Sequence, residues 1–380
     1  MCLMLVLSFG GSPLLHARDA VPAVPDEERI PIALLIDATS GQVLFERNAD
    51  RRFVPASITK VMTTYTAFEL IKSGQLQRSQ SFTVRPDTFR RWRRRGSTMY
   101  LSQDARVTVG DLLRGITTVS ANDGSVVLAE GAAGSVEAWT RLMNAKAREL
   151  GMADSYFASP NGWMDEGKTF VTARDLTLLA SGMIERHPML FAQFVGQPSF
   201  SYNGITQNNR DPMLGEVRGA EGIKTGFTYQ AGFGFLGTAK RQGRRLIMVV
   251  GGADSSRERR DAARSFMEWG FDAFENRYLY NADQVIGHAT VQNGDALRVG
   301  LVADKAVRIS IPSGFGGNLA SRIEYQGPLR APIKAGEEVA TLVVYGDGVP
   351  DARIPLEAET DVSVAGPLDR VVNAIWSWIA

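Results

Sequence analysis

The run Ile32-Ala-Leu-Leu-Ile-Asp37 is almost wholly apolar, the pattern of a buried strand. The turn signal Thr39-Ser40-Gly41-Gln42 follows, and Val43 to Arg47 returns as a second strand, so the pair predicts a hairpin. From Ser57 to Lys72 the apolar positions Ile58, Val61, Met62, Tyr65 and Phe68 recur on one side of a helix, and Gly74 ends it. Residues 75–108 read as mixed strand and loop. Helical patterns cover Val109 to Val119 and Asp123 to Ala133, split by the short break Ser120-Ala121-Asn122. Ser135 caps a further helix that stops at Gly151, and another spans about Thr172 to Arg186. Gly222 to Thr225 is a predicted strand. Gly232 to Ala239 and Arg244 to Gly251 alternate as a hairpin pair, and Arg257 to Phe274 is an amphipathic helix. From about Tyr278 to Val364 short strands are split by Gly, Pro and Asp turns. The whole predicts an α/β (α+β) domain over residues 30–275, followed by a small all-β domain over 278–365.

The two ends differ from this body. Residues 2–15 are apolar and uncharged, too short to span a bilayer, and read as the apolar part of a secretory signal peptide covering 1–17. The usual basic start is missing, which is consistent with a translation start further upstream. At the other end, Leu368, Val371, Val372, Ile375, Trp376, Trp378 and Ile379 fall within about 160° of helical arc. Residues 366–380 are therefore expected to form an amphipathic helix, either docked on the protein or acting as an interfacial membrane anchor; the two terminal tryptophans favour the anchor.

Composition narrows the chemistry. The chain has 380 residues, 44% apolar and 22% charged, which excludes wholesale disorder. Its net charge of +1 gives no global field for nucleic acid. With Cys2 as the one cysteine, no disulfide can close within the chain and no cysteine cluster can hold zinc or iron–sulfur. A Ser–His–Asp triad would need His187 or His288, yet His187 precedes Pro188 at a helix end and His288 lies among late strands. Each reads as a surface or core histidine rather than a base. Only eight lysines occur, so a lysine within a motif is selective here. The spacing Gly232-Phe-Gly-Phe-Leu-Gly237 sits inside an alternating strand and opens no helix, so a dinucleotide site is rejected.

Three short signals carry the candidate chemistry. Ser57-Ile58-Thr59-Lys60 stands at a helix start, where residues three apart are neighbours, so the Ser57 hydroxyl meets the Lys60 amine. A hydroxyl becomes a nucleophile when a base takes its proton, and a lysine kept neutral by burial or a nearby cation is such a base. Ser120-Ala121-Asn122 offers a hydroxyl to relay a proton and an amide to hold a substrate amide. Lys224-Thr225-Gly226 places a cation and a hydroxyl on a strand, fit for a carboxylate, with Gly226 leaving room for a peptide along the strand edge.

In this order and on these elements, the three signals resemble the penicillin-recognising serine enzymes. Over residues 30–275 the chain resembles the low-molecular-mass penicillin-binding D-alanyl-D-alanine carboxypeptidases. The resemblance extends to Gln207-Asn208-Asn209-Arg210, Glu221 to Thr228, Ala231-Gly232 and Glu268-Trp269-Gly270-Phe271. It implies a transpeptidase/β-lactamase-like fold with an antiparallel sheet flanked by helices. It implies that Ser57 attacks the bond between two D-alanines of a peptidoglycan stem peptide, giving an acyl-serine intermediate that water hydrolyses. Lys60 would accept the proton, Ser120 and Asn122 would support proton transfer and orientation, and Lys224, Thr225, Gly226, Phe227 and Arg210 would bind substrate. The backbone N–H groups of Ser57 and Phe227 would hold the oxyanion. β-Lactam antibiotics are the implied covalent inhibitors, no metal or cofactor is implied, and the expected location is the periplasm at the inner membrane surface. Phe227 departs from the histidine of several members, which touches specificity more than activity since its backbone N–H still serves, and Ala121 departs from the glycine of many, a small change. The alternatives are a D,D-endopeptidase of cross-bridges, a β-lactamase, and a non-catalytic wall-binding scaffold. No Glu-x-x-Leu-Asn motif of the class A β-lactamases lies between Asn122 and Lys224, and intact Ser57, Lys60 and Lys224 argue against the scaffold. The run Arg90-Arg91-Trp92-Arg93-Arg94-Arg95 reads as a solvated basic face, or as a contact for anionic lipid or cell-wall polymer.

Overall fold

The computed structural model describes residues 30–366 together with 7–8 and 24–25. Most of the expected signal peptide and anchor thus lies outside the described residues. Within the former, β1 (Leu7–Ser8) pairs antiparallel with Ala320 and Ser321. The chain divides into two compact units, one of residues 24–36 and 44–270, the other of 1–23, 37–43 and 271–380.

The larger unit is built on a five-stranded sheet. Its members are β2 (Ile32–Asp37) and β3 (Gln42–Arg47), with β4 (Ser81–Thr83) and β5 (Arg106–Thr108), and β6 (Ser199–Tyr202) and β7 (Ile205–Asn208), forming separate two-stranded sheets. The sheet is completed by β8 (Ala220–Thr228), β9 (Gly232–Arg241) and β10 (Arg244–Ala253), in the order β3-β2-β10-β9-β8. β8, β9 and β10 pair antiparallel, with Lys224 opposite Leu236 and Gly226 opposite Gly234. Leu246 to Val250 are each 0% exposed, so the alternating side chains of β10 meet cover on both faces. Part of that cover is α8 (Ser256–Asp272), whose Gly270 comes within contact range of Leu35 and Leu246.

The remaining helices are α1 (Thr59–Lys72), α2 (Pro86–Trp92), α3 (Val109–Thr118), α4 (Asn122–Ala133), α5 (Val136–Glu149), α6 (Ala173–Arg186) and α7 (Pro188–Phe194). Ser135 and Thr172 cap α5 and α6 by accepting the N–H of Ala138 and Asp175. Three expectations need correction. The segment 75–108 is not only strand and loop: Pro86 at the first turn and Asp87 behind it start α2, a helix too short to show a clear period. α1 is buried from Thr59 to Phe68 without a polar face, so its apolar stripe is only part of its cover. The last helix stops at Asp272, and Phe274 opens a strand.

The second unit is all β. It contains β11 (Phe274–Tyr280), β12 (Gly287–Gln292), β13 (Arg298–Val302), β14 (Val307–Pro312), β15 (Ala320–Glu324), β16 (Leu329–Arg330), β17 (Glu338–Gly346) and β18 (Val349–Ala358). Seven strands run β1-β15-β17-β18-β13-β12-β16, and β11 pairs with β14. Leu301, Ile309 and Leu356, each 0% exposed, centre its core. The turn at residues 37–43 counts with this unit: Asp37 accepts the Ser310 hydroxyl at 2.6 Å, and the Gln42 amide donates to the Ser310 carbonyl at 2.9 Å.

Candidate active site

Pro55 leads into a tight 3₁₀ turn, Ala56–Ile58, that carries Ser57 into the start of α1. Two glycines press on this turn. A Cβ on Gly226 of β8 would meet the Pro55 carbonyl oxygen closer than 3.0 Å and sit 3.1 Å from Ile58 Cγ1. A Cβ on Gly162, already in the left-handed region at φ 68°, would strike the Ala56 carbonyl oxygen. Gly226 was expected to leave room for a peptide. The space where its side chain would stand is instead filled by the turn that presents Ser57, because the strand backs directly onto it.

Lys60 lies one helical step behind. Its Nζ stands 2.9 Å from Ser57 Oγ and donates to the Asn161 carbonyl at 2.7 Å, with the residue 0% exposed. Burial holds this amine well below the ordinary lysine range, the Lys224 charge lowers it further, and Asp123 works in the other direction. Lys224 is buried too and donates to the Thr225 carbonyl at 3.0 Å. Its pKa is pushed down to about 7, by burial first and then by Arg210 and Arg259, against the pull of Asp211. Asp211 is itself pushed up to about 6 by burial, although its Oδ1 accepts the N–H groups of Met213 and Leu214 and Lys224 and Arg259 favour its charge. Its Oδ2 is buried without a partner.

Ser120 sits between α3 and α4 with φ 63°, a costly conformation for a residue with a side chain. The loop is fastened to the opposite wall: Asn122 takes the Ser97 carbonyl on its backbone N–H at 2.8 Å and the Arg95 carbonyl on its side-chain amide at 2.9 Å. Asp123 adds bonds to the Met99 and Leu101 N–H groups at 3.0 and 3.3 Å. Ser120 and Asn122 are therefore presented at one fixed position.

A cavity of about 480 Å³ gathers Ser57, Ser120, Asn122, Arg210, Lys224, Thr225, Gly226 and Phe227 on its walls. Of the residues nominated from sequence, Lys60 alone does not line it, standing behind Ser57. Phe227 is 42% exposed and stacks on Phe233 at 4.1 Å. Arg210 donates to Ser97 Oγ at 3.0 Å from the exposed rim. Sequence reasoning missed four contributors. Asn161 holds Lys60 through a backbone oxygen, which no side-chain pattern signals. Ser97 and Trp163 line the cavity from loops. Arg259 also lines it, from α8, with its Nε buried and unpartnered, yet in the sequence it looks like one of several surface arginines. His187 does not line the cavity; it is buried against Glu69, with Nε2 2.6 Å from Oε1. No group of three metal-binding side chains occurs among the described residues.

A serine hydroxyl against a desolvated lysine, at the wall of a cavity ringed by cations, is the apparatus of a serine acyl-transfer enzyme acting on an anionic substrate. Comparison with known proteins agrees. Residues 21–255 match the family described as D-alanyl-D-alanine carboxypeptidase, and residues 274–364 match the C-terminal domain of penicillin-binding protein 5. The chain belongs to the D-alanyl-D-alanine carboxypeptidase family of serine-type peptidases, the low-molecular-mass penicillin-binding proteins of cell-wall peptidoglycan metabolism. It is 34% identical over 343 residues to D-alanyl-D-alanine carboxypeptidase DacC of Escherichia coli, covering 89% of this chain and 85% of that protein. It is 31% identical over 349 residues to DacA of Haemophilus influenzae, covering 91% and 87%. The solved structure of penicillin binding protein 5 from Haemophilus influenzae superimposes with a TM-score of 0.78 at 30% identity, over 93% of this chain and all of that one. Penicillin-binding protein D2 of Listeria monocytogenes, solved in an ampicillin-bound form, matches with a TM-score of 0.58 at 30% identity, over 64% of this chain and 98% of that one.

Proposed function

We propose that this chain removes the terminal D-alanine from peptidoglycan stem peptides with Ser57 as nucleophile and Lys60 as proton acceptor. The observation that carries the assignment is the 2.9 Å approach of a fully buried Lys60 Nζ to Ser57 Oγ. As a neutral amine, Nζ offers a lone pair to the hydroxyl proton, and the bond to the Asn161 carbonyl keeps that lone pair aimed. Ser57 Oγ bonds to the carbonyl carbon between the two D-alanines. The departing amine of the terminal D-alanine takes a proton by way of Ser120, and water then cleaves the acyl-serine. Asn122 orients the substrate amide. Lys224, Thr225, Arg210 and Arg259 receive the terminal carboxylate, and the N–H groups of Ser57 and Phe227 receive the oxyanion, each such donor supplying about 3–4 kcal/mol. β-Lactams would acylate the same serine. No carboxylate of the kind class A β-lactamases use for deacylation lines the cavity among the described residues. Incubation with a pentapeptide ending in D-Ala-D-Ala should release D-alanine. No D-alanine from the pentapeptide but cleavage of cross-linked dimers into monomers would favour the endopeptidase, and undiminished D-alanine release by Ser57→Ala would overturn the assignment.

The leader-like residues 1–17 and the apolar arc of 366–380 support export to the periplasm and attachment to the inner membrane surface. Deletion of 366–380 should move the protein to the soluble fraction with D-alanine release unchanged; continued sedimentation with membranes would place attachment elsewhere.

A further inference from the structure

The arginine run has no part in the chemistry above, yet it leads directly into the cavity wall, which begins at Gly96 and Ser97. Arg90 pairs with Asp87. Arg91, Arg93, Arg94 and Arg95 are exposed, and none has a carboxylate partner among the described residues. Four like charges without a carboxylate partner within five residues repel one another. The run is set against aromatic side chains. Trp92 is 6% exposed and meets Trp163, a wall of the cavity, edge to face at 6.0 Å. The guanidinium of Arg91 lies 5.7 Å from the Trp92 ring and that of Arg93 lies 5.6 Å from the Phe89 ring. Such stacking limits the freedom of a guanidinium while leaving its N–H fork outward. The next residues, Gly96 and Ser97, line the cavity itself.

We propose that Arg91, Arg93, Arg94 and Arg95 form a carboxylate-binding shelf that holds the polymeric peptidoglycan strand while one of its stem peptides occupies the cavity. This rests on the carboxypeptidase reading of the site. Stem peptides carry several free carboxylates, and neighbouring stems on one strand present them repeatedly. Planar guanidinium forks match that chemistry. The position favours a flexible polymer over a lipid surface: a bilayer seated on a shelf at the cavity rim would face the opening, whereas a strand lying on it leads a stem peptide inward.

The test is the triple variant R91Q/R93Q/R94Q, whose positions lie outside the catalytic and substrate-binding groups. D-Alanine release from a soluble pentapeptide and acylation by a fluorescent penicillin should match the parent. At about 20 mM salt, release from insoluble polymeric peptidoglycan and co-sedimentation with it should both weaken by about tenfold. At about 300 mM salt, where charges are screened beyond a few ångströms, parent and variant should converge. Equal co-sedimentation of parent and variant at low salt overturns the shelf. So does loss confined to binding of phosphatidylglycerol vesicles, which would assign the arginines to lipid. Co-sedimentation needs no turnover, so a parent that binds polymer through the arginines but releases no D-alanine from pentapeptide would sink the carboxypeptidase reading and leave the shelf standing.

Discussion

Substituting Gly226 by alanine tests whether Ser57, the proposed nucleophile, is held by packing. The added Cβ would lie closer than 3.0 Å to the Pro55 carbonyl oxygen, 3.1 Å from Ile58 Cγ1 and 3.4 Å from the Ile58 nitrogen. The first of these is a backbone atom and cannot swing aside. To reach ordinary van der Waals contact the turn must withdraw from β8 by roughly 1 Å. Ser57 lies between Pro55 and Ile58 and has to move with them. Overpacking of this kind costs about 1–3 kcal/mol of stability. A displacement near 1 Å at the reacting atom costs on the order of 100-fold in rate. G226A should therefore melt at a lower temperature and be acylated by fluorescent penicillin about 100-fold more slowly, the loss falling in the chemical step. The companion variant G234A, directly across the ladder, should do less harm. Its Cβ would sit 3.2 Å from the mobile tip of Ile58 and 3.3 Å from the Val250 oxygen. Acylation of G226A within roughly twofold of the parent, at an unchanged melting temperature, would refute the packing argument. Weaker penicillin binding at an unchanged melting temperature would restore the role of Gly226 as room for substrate.

The remaining predictions concern charge and the nucleophile. Intact-mass measurement after β-lactam treatment should show one adduct on the parent and none on Ser57→Ala; equal yields would move the nucleophile elsewhere. Lys60→Arg keeps a cation but removes the neutral base, so the acylation rate should fall by roughly 10³-fold, while Lys224→Arg keeps a cation for the carboxylate and should retain more. Parental rates in both variants would contradict the proton-acceptor role. Asp211→Asn tests the buried acid. Because the folded-state pKa of about 6 lies above the unfolded value, the parent loses stability as pH rises from about 4 to 6 and stays at the lower level above that. Asparagine can keep the two backbone bonds without the charge, so the variant should be more stable than the parent by about 3 kcal/mol at pH 8 and nearly equal to it at pH 4. Denaturant titrations at the two pH values check this, and a gap that is the same at both would show that Asp211 does not titrate as argued.

Much of this protein follows from its local patterns. The step from Ser57 to Lys60 is one turn of helix, so their meeting follows from the helical period alone. The alternating strands Gly232 to Arg241 and Arg244 to Ala253, the helices on either side of Ser120 to Asn122 and the β-rich second unit are equally local, each set by a period or a turn residue. α2 escaped because seven residues rich in arginine give too little period to read. What the tertiary structure alone decided is the state of the groups. The Lys60 amine is depressed because chain from Asn161 and Lys224 closes over it, and Arg259 faces the cavity because α8 packs where it does. Gly226 is small for the sake of a turn some 170 residues earlier, a contact made by the folding of β8 onto α1's entry. Desolvation and close packing depend on what lies nearby in space, and residues a hundred positions apart leave no mark of that proximity in the period of either segment.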